Sequence, residues 1–277
     1  MQAMLKKLNF KTLLLYGVLI LSSLVLLVPV IWMIAVSLAH PEAVHQRIMG
    51  LIPIRFSLHG YYTLFAQTPY SRWFLNSIFV STMLTLGQLF VGIFAAYAFA
   101  RYDFKGREIL FFFVLCTMMI PPQAILLPTF MVVNELEWIN TFRGVIIPRV
   151  AQGYAIFVLR QFFLQVPESL DESAAIDGCN SWQTLYHVYV RTSIPAVIAV
   201  GLIQLVQNWN EYYWPLVVLM DMELLTLPLG IVTFRDETLV RWAPTMAAAT
   251  LAVLPVLIVY ILGQKHFIKS QITSGID

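Results

Sequence analysis

Between Leu13 and Leu38 the chain carries no charged residue, and the same is true from Trp73 to Ala100 and from Ile109 to Asn134. A bilayer core takes about 20 apolar residues to cross as a helix, so each run is long enough to span. Three further runs qualify with few interruptions: Gly144 to Phe163 with Arg149 and Arg160, Ile194 to Met220 with Glu211 only, and Trp242 to Gln264 with none. A chain with so much uncharged length has few folds open to it. The expected fold class is an all-α integral membrane protein of six transmembrane helices, over about 13–38, 73–100, 109–134, 144–163, 194–220 and 242–264. These make one transmembrane domain over 1–277. Prolines 29, 121, 122, 148 and 255 fall inside these runs, where neighbouring helices can satisfy the carbonyls they free.

Composition excludes the main alternatives. Only 12% of the residues are charged, about half the share in soluble domains. That argues against a water-soluble enzyme, a nucleic-acid binder and a disordered chain. A net charge of +2 points to no polyanionic partner, so no nucleic acid is expected. Two cysteines, Cys116 in an apolar run and Cys179 in a polar loop, supply neither a disulfide framework nor metal-ligand spacing. The first run lacks the cleavage site of a secretory signal and is expected to stay in the mature protein.

Orientation follows from the cations in short flanking loops. Lys6, Lys7 and Lys11 precede the first run. Arg101, Lys105 and Arg107 fill the second-to-third loop, Arg160 and Arg191 flank the fourth-to-fifth, and Lys265 and Lys269 follow the last. Every lysine falls on that side, taken as cytoplasmic with both termini. Arg47, Arg55, Arg72, Arg143, Arg235 and Arg241 spread over longer loops on the other side, where His40 to Ser71 is the largest segment.

Catalytic patterns are missing. No Gly-Lys dipeptide exists, hence no phosphate-cradling G-x-x-x-x-G-K-[ST] loop, and neither H-E-x-x-H nor G-x-S-x-G is present. The Asp221-Met222-Glu223 stretch reads as a solvated loop rather than a metal site. An intramembrane glycosyltransferase-like enzyme would need an acidic or histidine pair at one membrane face. A self-sufficient carrier would need inverted repeats and midplane carboxylates, of which only Glu211 qualifies.

The inner loop 167–191 is long, charged and rich in stop and start signals. Ser169 with Glu172 reads as a capping box after Pro167, and Gly178 as a left-handed stop. A helix is expected from about Leu170 to Asp177, with Leu170, Ala174 and Asp177 on one face. Asn180 and Gln183 open a second helix carrying Trp182, Leu185, Tyr186 and Tyr189 as an apolar stripe. Two readings compete: an amphipathic hairpin resting on the membrane, and a docking handle for a soluble partner.

Glu172-Ser173-Ala174-Ala175-Ile176-Asp177-Gly178 resembles the Glu-Ala-Ala-x-x-x-Gly signature of the membrane subunits of binding-protein-dependent ABC importers, in particular the maltose-permease type that serves sugars. Asn76-Ser77, Trp209-Asn210, Thr226-Leu227-Pro228-Leu229-Gly230 and the tail Gln271-Ile272-Thr273-Ser274-Gly275 extend the resemblance over nearly the whole chain. Ser173 replaces the first alanine. Arg191 stands where the family has a proline ahead of the fifth span, and the tail stops at Ile276-Asp277. The resemblance implies a permease subunit rather than an enzyme, in a bacterial-type plasma membrane. Its partners would be a second, similar permease, two ATPase subunits and an extracytoplasmic binding protein. The chain itself would bind no cofactor, with ATP and Mg held by the ATPases. Glu172, Ser173, Ala174, Asp177 and Gly178 become ATPase-coupling residues, and a sugar or oligosaccharide the cargo. A glycerophosphodiester-type solute remains an alternative.

Within the membrane, Gln207 to Trp214 mixes aromatic faces with amide and carboxylate edges, the groups that sugar rings need. Trp209, Asn210 and Glu211 are candidates for the translocation path, with Asn76 and Gln123 behind them. Glu211 has a competing role as the partner of Arg149.

Overall fold

The computed structural model describes residues 10–40, 55–234 and 241–273, with side chains from Lys11 to Gly263 in those stretches. Lys6, Lys7, Arg47, Arg235 and the end of the tail, Ser274 to Asp277, lie outside the described residues, as do the side chains of Lys265 and Lys269. The described residues are helical, with one isolated antiparallel bridge, Ala39 to Phe56, and no strand.

Contacts divide the chain into two compact units. The first comprises Met1–Tyr70 and Ile231–Val253. Its helix α1 (Phe10–Ser37) is apolar all round and exposes Leu13, Leu21 and Leu26, as a lipid-facing helix does. The hydroxyls of Ser22 and Ser23 both donate to the Leu19 carbonyl, which satisfies them without water. Helix α2 (His59–Gln67) contributes Tyr61, whose hydroxyl lies 3.0 Å from that of Ser37.

The second unit comprises Ser71–Gly230 and Leu254–Asp277. Helix α3 (Tyr70–Arg101) is the second expected span, longer by a few residues at its start. It is one of three described helices long and apolar enough to cross a membrane, with Lys11–Ser37 and Trp242–Gly263. The last continues to Thr273 as the final helix, and Pro29 and Pro255 sit inside their helices without breaking them.

The other three expected spans are not continuous. The run 109–134 forms α4 (Arg107–Met119) and α5 (Leu126–Glu135), separated at Pro121-Pro122, where two consecutive missing N–H groups end the ladder. The run 144–163 forms α6 (Phe142–Ile146), a 3-10 turn Ile147–Arg149 around Pro148, and α7 (Gly153–Leu164) after a 41° bend. In the run 194–220, α10 (Ile194–Trp209) ends at Asn210, and α11 (Tyr213–Val218) restarts after Glu211-Tyr212.

The loop between these last two runs holds α8 (Glu168–Ile176), α9 (Ser181–Thr184) and a π-helical stretch Leu185–Val190. Later, α12 (Leu227–Val232) precedes α13 (Trp242–Thr273). The core of the second unit packs the small faces of Ala96 and Ala100 against Ala155, Leu159 and Phe163, with Leu185, Tyr189 and Val200 closing it. Small residues allow such close approach between helices in a membrane.

Asn76 and Ser77 meet the distant Thr226-Leu227 segment. The Asn76 amide donates to the carbonyls of Glu223 (2.8 Å) and Leu225 (2.9 Å), and Ser77 Oγ accepts the Leu227 N–H at 2.7 Å. Glu223 pairs with Arg72 at 3.2 Å, so the Asp221-Met222-Glu223 stretch is a pinned loop. No cluster of three or more metal-ligating side chains occurs among the described residues.

Gly144 is held by one of the closest backbone approaches in this unit. A Cβ there would stand 2.3 Å from the Trp138 carbonyl oxygen, a backbone atom that cannot swing aside. Gly144→Ala is expected to destabilise the subunit by about 1–3 kcal/mol, read as a lower unfolding temperature of the detergent-solubilised protein. Gly17→Ala, inside α1 with nothing within 4 Å of its Cβ, should leave it unchanged or slightly raised. Equal melting of both variants would contradict this packing.

Candidate functional site

Helix α8 begins at Glu168, not at Leu170, and Pro167 occupies the N-cap with no side-chain bond. The Ser169–Glu172 capping box therefore does not form. Ser169 is already helical, and its carbonyl accepts the Ser173 hydroxyl at 2.8 Å. The earlier start puts Glu168 and Asp171 in the first turn, where the helix dipole favours carboxylates. It also points both at one cation, Arg101.

The helix stops as the sequence requires. Gly178 has φ +74°, its N–H donates to the Ala175 carbonyl, and the Cys179 N–H reaches back to Ala174. This is the paired C-terminal cap that a left-handed residue permits. The second start also forms: Asn180 and Gln183 bond reciprocally, side chain to backbone, at 2.9 and 2.8 Å.

Arg101, at the end of α3, ties this loop to the bundle. It is only 13% exposed and lies 3.5 Å from Asp171 and 3.8 Å from Glu168. It donates to the carbonyls of Phe163 and Val166, and its guanidinium sits 5.0 Å from the centroid of the Tyr189 ring. The Tyr189 hydroxyl donates to Asp171. Burial and that bond push the Tyr189 phenol up from its ordinary value, so it stays a donor at physiological pH.

The expected apolar stripe therefore divides. Leu185 and Tyr189 enter the core, whereas Trp182 and Tyr186 remain exposed, because the π-helical turn displaces successive side chains from the α-helical register. Of the five coupling candidates, Glu172, Ser173, Asp177 and Gly178 are exposed and Ala174 is buried. Ile176, at 86% exposure, and Leu170 share the exposed side. Arg191 is exposed at the end of the π-helical stretch, and Pro195 opens α10 after an 83° bend.

A second constellation lies where the three interrupted runs break. Pro122, Gln123 and Ile125 from the first break, Pro148 and Arg149 from the second, and Glu211, Tyr213 and Trp214 from the third line one cavity of about 310 Å³. Arg149 Nη1 pairs with Glu211 Oε2 at 2.8 Å, and both side chains are about one-fifth exposed. The other Glu211 oxygen accepts the Trp214 N–H at 3.3 Å, which caps α11, and the Trp214 indole donates to the Gly144 carbonyl at 3.1 Å.

Behind the pair, Gln88 donates to the Arg149 carbonyl at 3.1 Å, and Asn208 donates to Gln88 and Thr85. The path candidates are thus separated. Glu211 and Gln123 share the cavity. Trp209 instead lines a smaller crevice of about 150 Å³ with Ile78 and Pro255, Asn210 donates to the Val206 carbonyl, and Asn76 pins the Thr226 segment. Sequence reading missed Arg101 and Gln88. Arg101's signal was its place at the very end of an uncharged run, where a cation can reach the carbonyls that end a neighbouring helix.

Residues 88–272 match the family described as "Binding-protein-dependent transport system inner membrane component". The chain is 33% identical over 229 residues to the arabinooligosaccharides transport system permease protein AraQ of Bacillus subtilis (strain 168), covering 82% of each. It is 32% identical over 279 residues to the polygalacturonan/rhamnogalacturonan transport system permease protein YtcP of the same organism, covering 95% of this chain and 96% of that one. In fold it matches a chain of a bacterial ABC transporter that imports the acidic polysaccharide alginate, with a TM-score of 0.83 at 24% identity over 93% of this chain and 96% of that one. The family match runs across both the capped loop and the cavity at the helix breaks, and the chain belongs to the inner membrane components of binding-protein-dependent ABC transport systems.

Proposed function

We propose that this chain is one of two membrane-spanning subunits of an ABC importer, that it crosses the bacterial plasma membrane six times with both termini inside, and that it carries a sugar or oligosaccharide past the Arg149–Glu211 cavity. The observation that supports the path is the convergence of three separate helix breaks on one cavity that holds an ion pair. Broken helices at membrane depth are tolerated where they line a water-filled space. The assignment to sugars as a class, neutral or acidic, rests on the relatives, whose names give arabinooligosaccharides and polygalacturonan or rhamnogalacturonan as cargo.

In this reading the chain hydrolyses nothing. ATP and Mg belong to two cytoplasmic ATPase subunits, and an extracytoplasmic binding protein delivers the solute. Closure of the ATPases displaces α8 and switches the cavity between its two openings, as alternating access requires. Glu172, Ser173, Asp177 and the apolar Leu170 and Ile176 are the surface offered to the ATPase. Ala174 faces inward and seats the helix, and Gly178 sets its end.

The test is copurification and uptake with the full set of subunits. Glu172→Lys with Asp177→Lys reverses two charges on exposed positions, so folding should change by no more than about 0.5 kcal/mol. Capture of the ATPase should fall about tenfold or more, a loss of roughly 1.4 kcal/mol. A wild-type chain that brings down no ATPase and drives uptake alone would overturn the reading.

A further inference from the structure

We propose that the Arg149–Glu211 pair makes this cavity a charge filter, admitting uncharged polyhydroxylated solutes and refusing carboxylated or phosphorylated ones; the proposal rests on the transport-path reading above. The lining carries one cation and one carboxylate, joined at 2.8 Å. Their charges cancel. An anionic sugar would need an uncompensated positive charge, yet the Arg149 guanidinium is already neutralised by the Glu211 carboxylate at its Nη1. The same carboxylate would stand beside any acid group brought to the arginine and repel it. What the cavity does offer suits a neutral sugar: the Gln123 amide, the phenol and exposed ring of Tyr213, and the two prolines. The Trp214 indole N–H is taken by the Gly144 carbonyl, so this buried ring adds no free donor to the cavity wall.

Glu211 thereby becomes a specificity-determining residue. It removes a positive charge from the path, besides holding two helix breaks together through Arg149 and the Trp214 N–H.

The charge of the cavity can be read without knowing the cargo. In the complete transporter, with Cys116 and Cys179 replaced by serine, a single cysteine is placed at Gln123. Its reaction rates with an anionic methanethiosulfonate (ethylsulfonate) and a cationic one (ethyltrimethylammonium) are measured with and without ATP. With the pair intact, the ratio of the two rates should lie within about threefold of that for a free thiol in water. Glu211→Gln should shift the ratio about tenfold toward the anionic reagent and Arg149→Gln about tenfold toward the cationic one. The double variant Arg149→Gln/Glu211→Gln should return it to the free-thiol value and guards against a single variant that does not assemble.

A ratio indifferent to Glu211→Gln, or one strongly biased toward the anion with the pair intact, overturns the filter while leaving the path standing. A cysteine that reacts with neither reagent shows a dry cavity, and then the path falls and the filter with it. ATP-driven uptake of an oligogalacturonate by the wild-type transporter also overturns the filter.

Discussion

Arg101→Ala is expected to lower ATP-driven uptake by roughly 5–150-fold, the range that coupling free energies of about 1–3 kcal/mol span. The reason is the number of elements that meet at this one side chain. It holds the carbonyls at the end of α7, the two first-turn carboxylates of α8 and the ring of Tyr189. Without it the Asp171 carboxylate keeps only the Tyr189 hydroxyl, and α8 loses its tie to the end of α7 and, on the proposed reading, its grip on the bundle. ATP hydrolysis by the assembled complex should continue, now disconnected from transport.

Arg101→Lys should recover only part of the loss. A lysine can face Asp171 as a point charge but cannot also fork onto two carbonyls. The measurement is uptake against ATP consumed in proteoliposomes. Wild-type stoichiometry in Arg101→Ala would show that the loop is held by something else.

The second large effect concerns Glu211 and Arg149. Removing either partner leaves an uncompensated charge at membrane depth. Insertion scales put the upper limit of that cost at about 2.5–3.5 kcal/mol, and the one-fifth exposure of both side chains to the cavity lowers it. Glu211→Ala adds the loss of the bond that caps α11. Each single variant should therefore reduce the amount of folded subunit recovered from the membrane several-fold. Arg149→Met/Glu211→Leu, which removes both charges and keeps the volume apolar, should restore recovery but not transport. Recovery is read by fluorescence-detected size exclusion of a tagged chain. Full recovery of the single variants would mean that water reaches the site freely enough to screen a lone charge.

The apolar helices were legible because lipid leaves a chain little choice: the runs 13–38, 73–100 and 242–264 each became one helix, the first two within a few residues of the expected ends and the last continuing to Thr273. The breaks were less so. Proline alone does not decide the outcome, since Pro29 and Pro255 stay inside helices whereas Pro121-Pro122 and Pro148 interrupt theirs. What differs is the surroundings. The interrupted positions line the cavity that holds the Arg149–Glu211 pair, a tertiary fact with no local pattern. The same limit hid the true start of α8. Ser169 and Glu172 satisfied a local rule, but a residue 67 or more positions earlier, Arg101, draws Glu168 and Asp171 into the first turn. The pairing of Glu211 with Arg149 was legible, because an arginine at similar depth was the natural counter-ion.

The 83° bend between the stretch Ser181–Val190 and α10 has a mechanical consequence. A rigid angled piece turning about its corner works as a bell crank. Its longer arm, Ile194–Trp209, is about 24 Å and its shorter arm about 15 Å at helical rise. A shift of about 2 Å at Ser181 would then sweep the Trp209 end through about 3 Å, enough to pull Glu211 from Arg149. Spin labels at either tip, compared in resting and nucleotide-locked transporters, would report whether one angle is kept throughout the stroke.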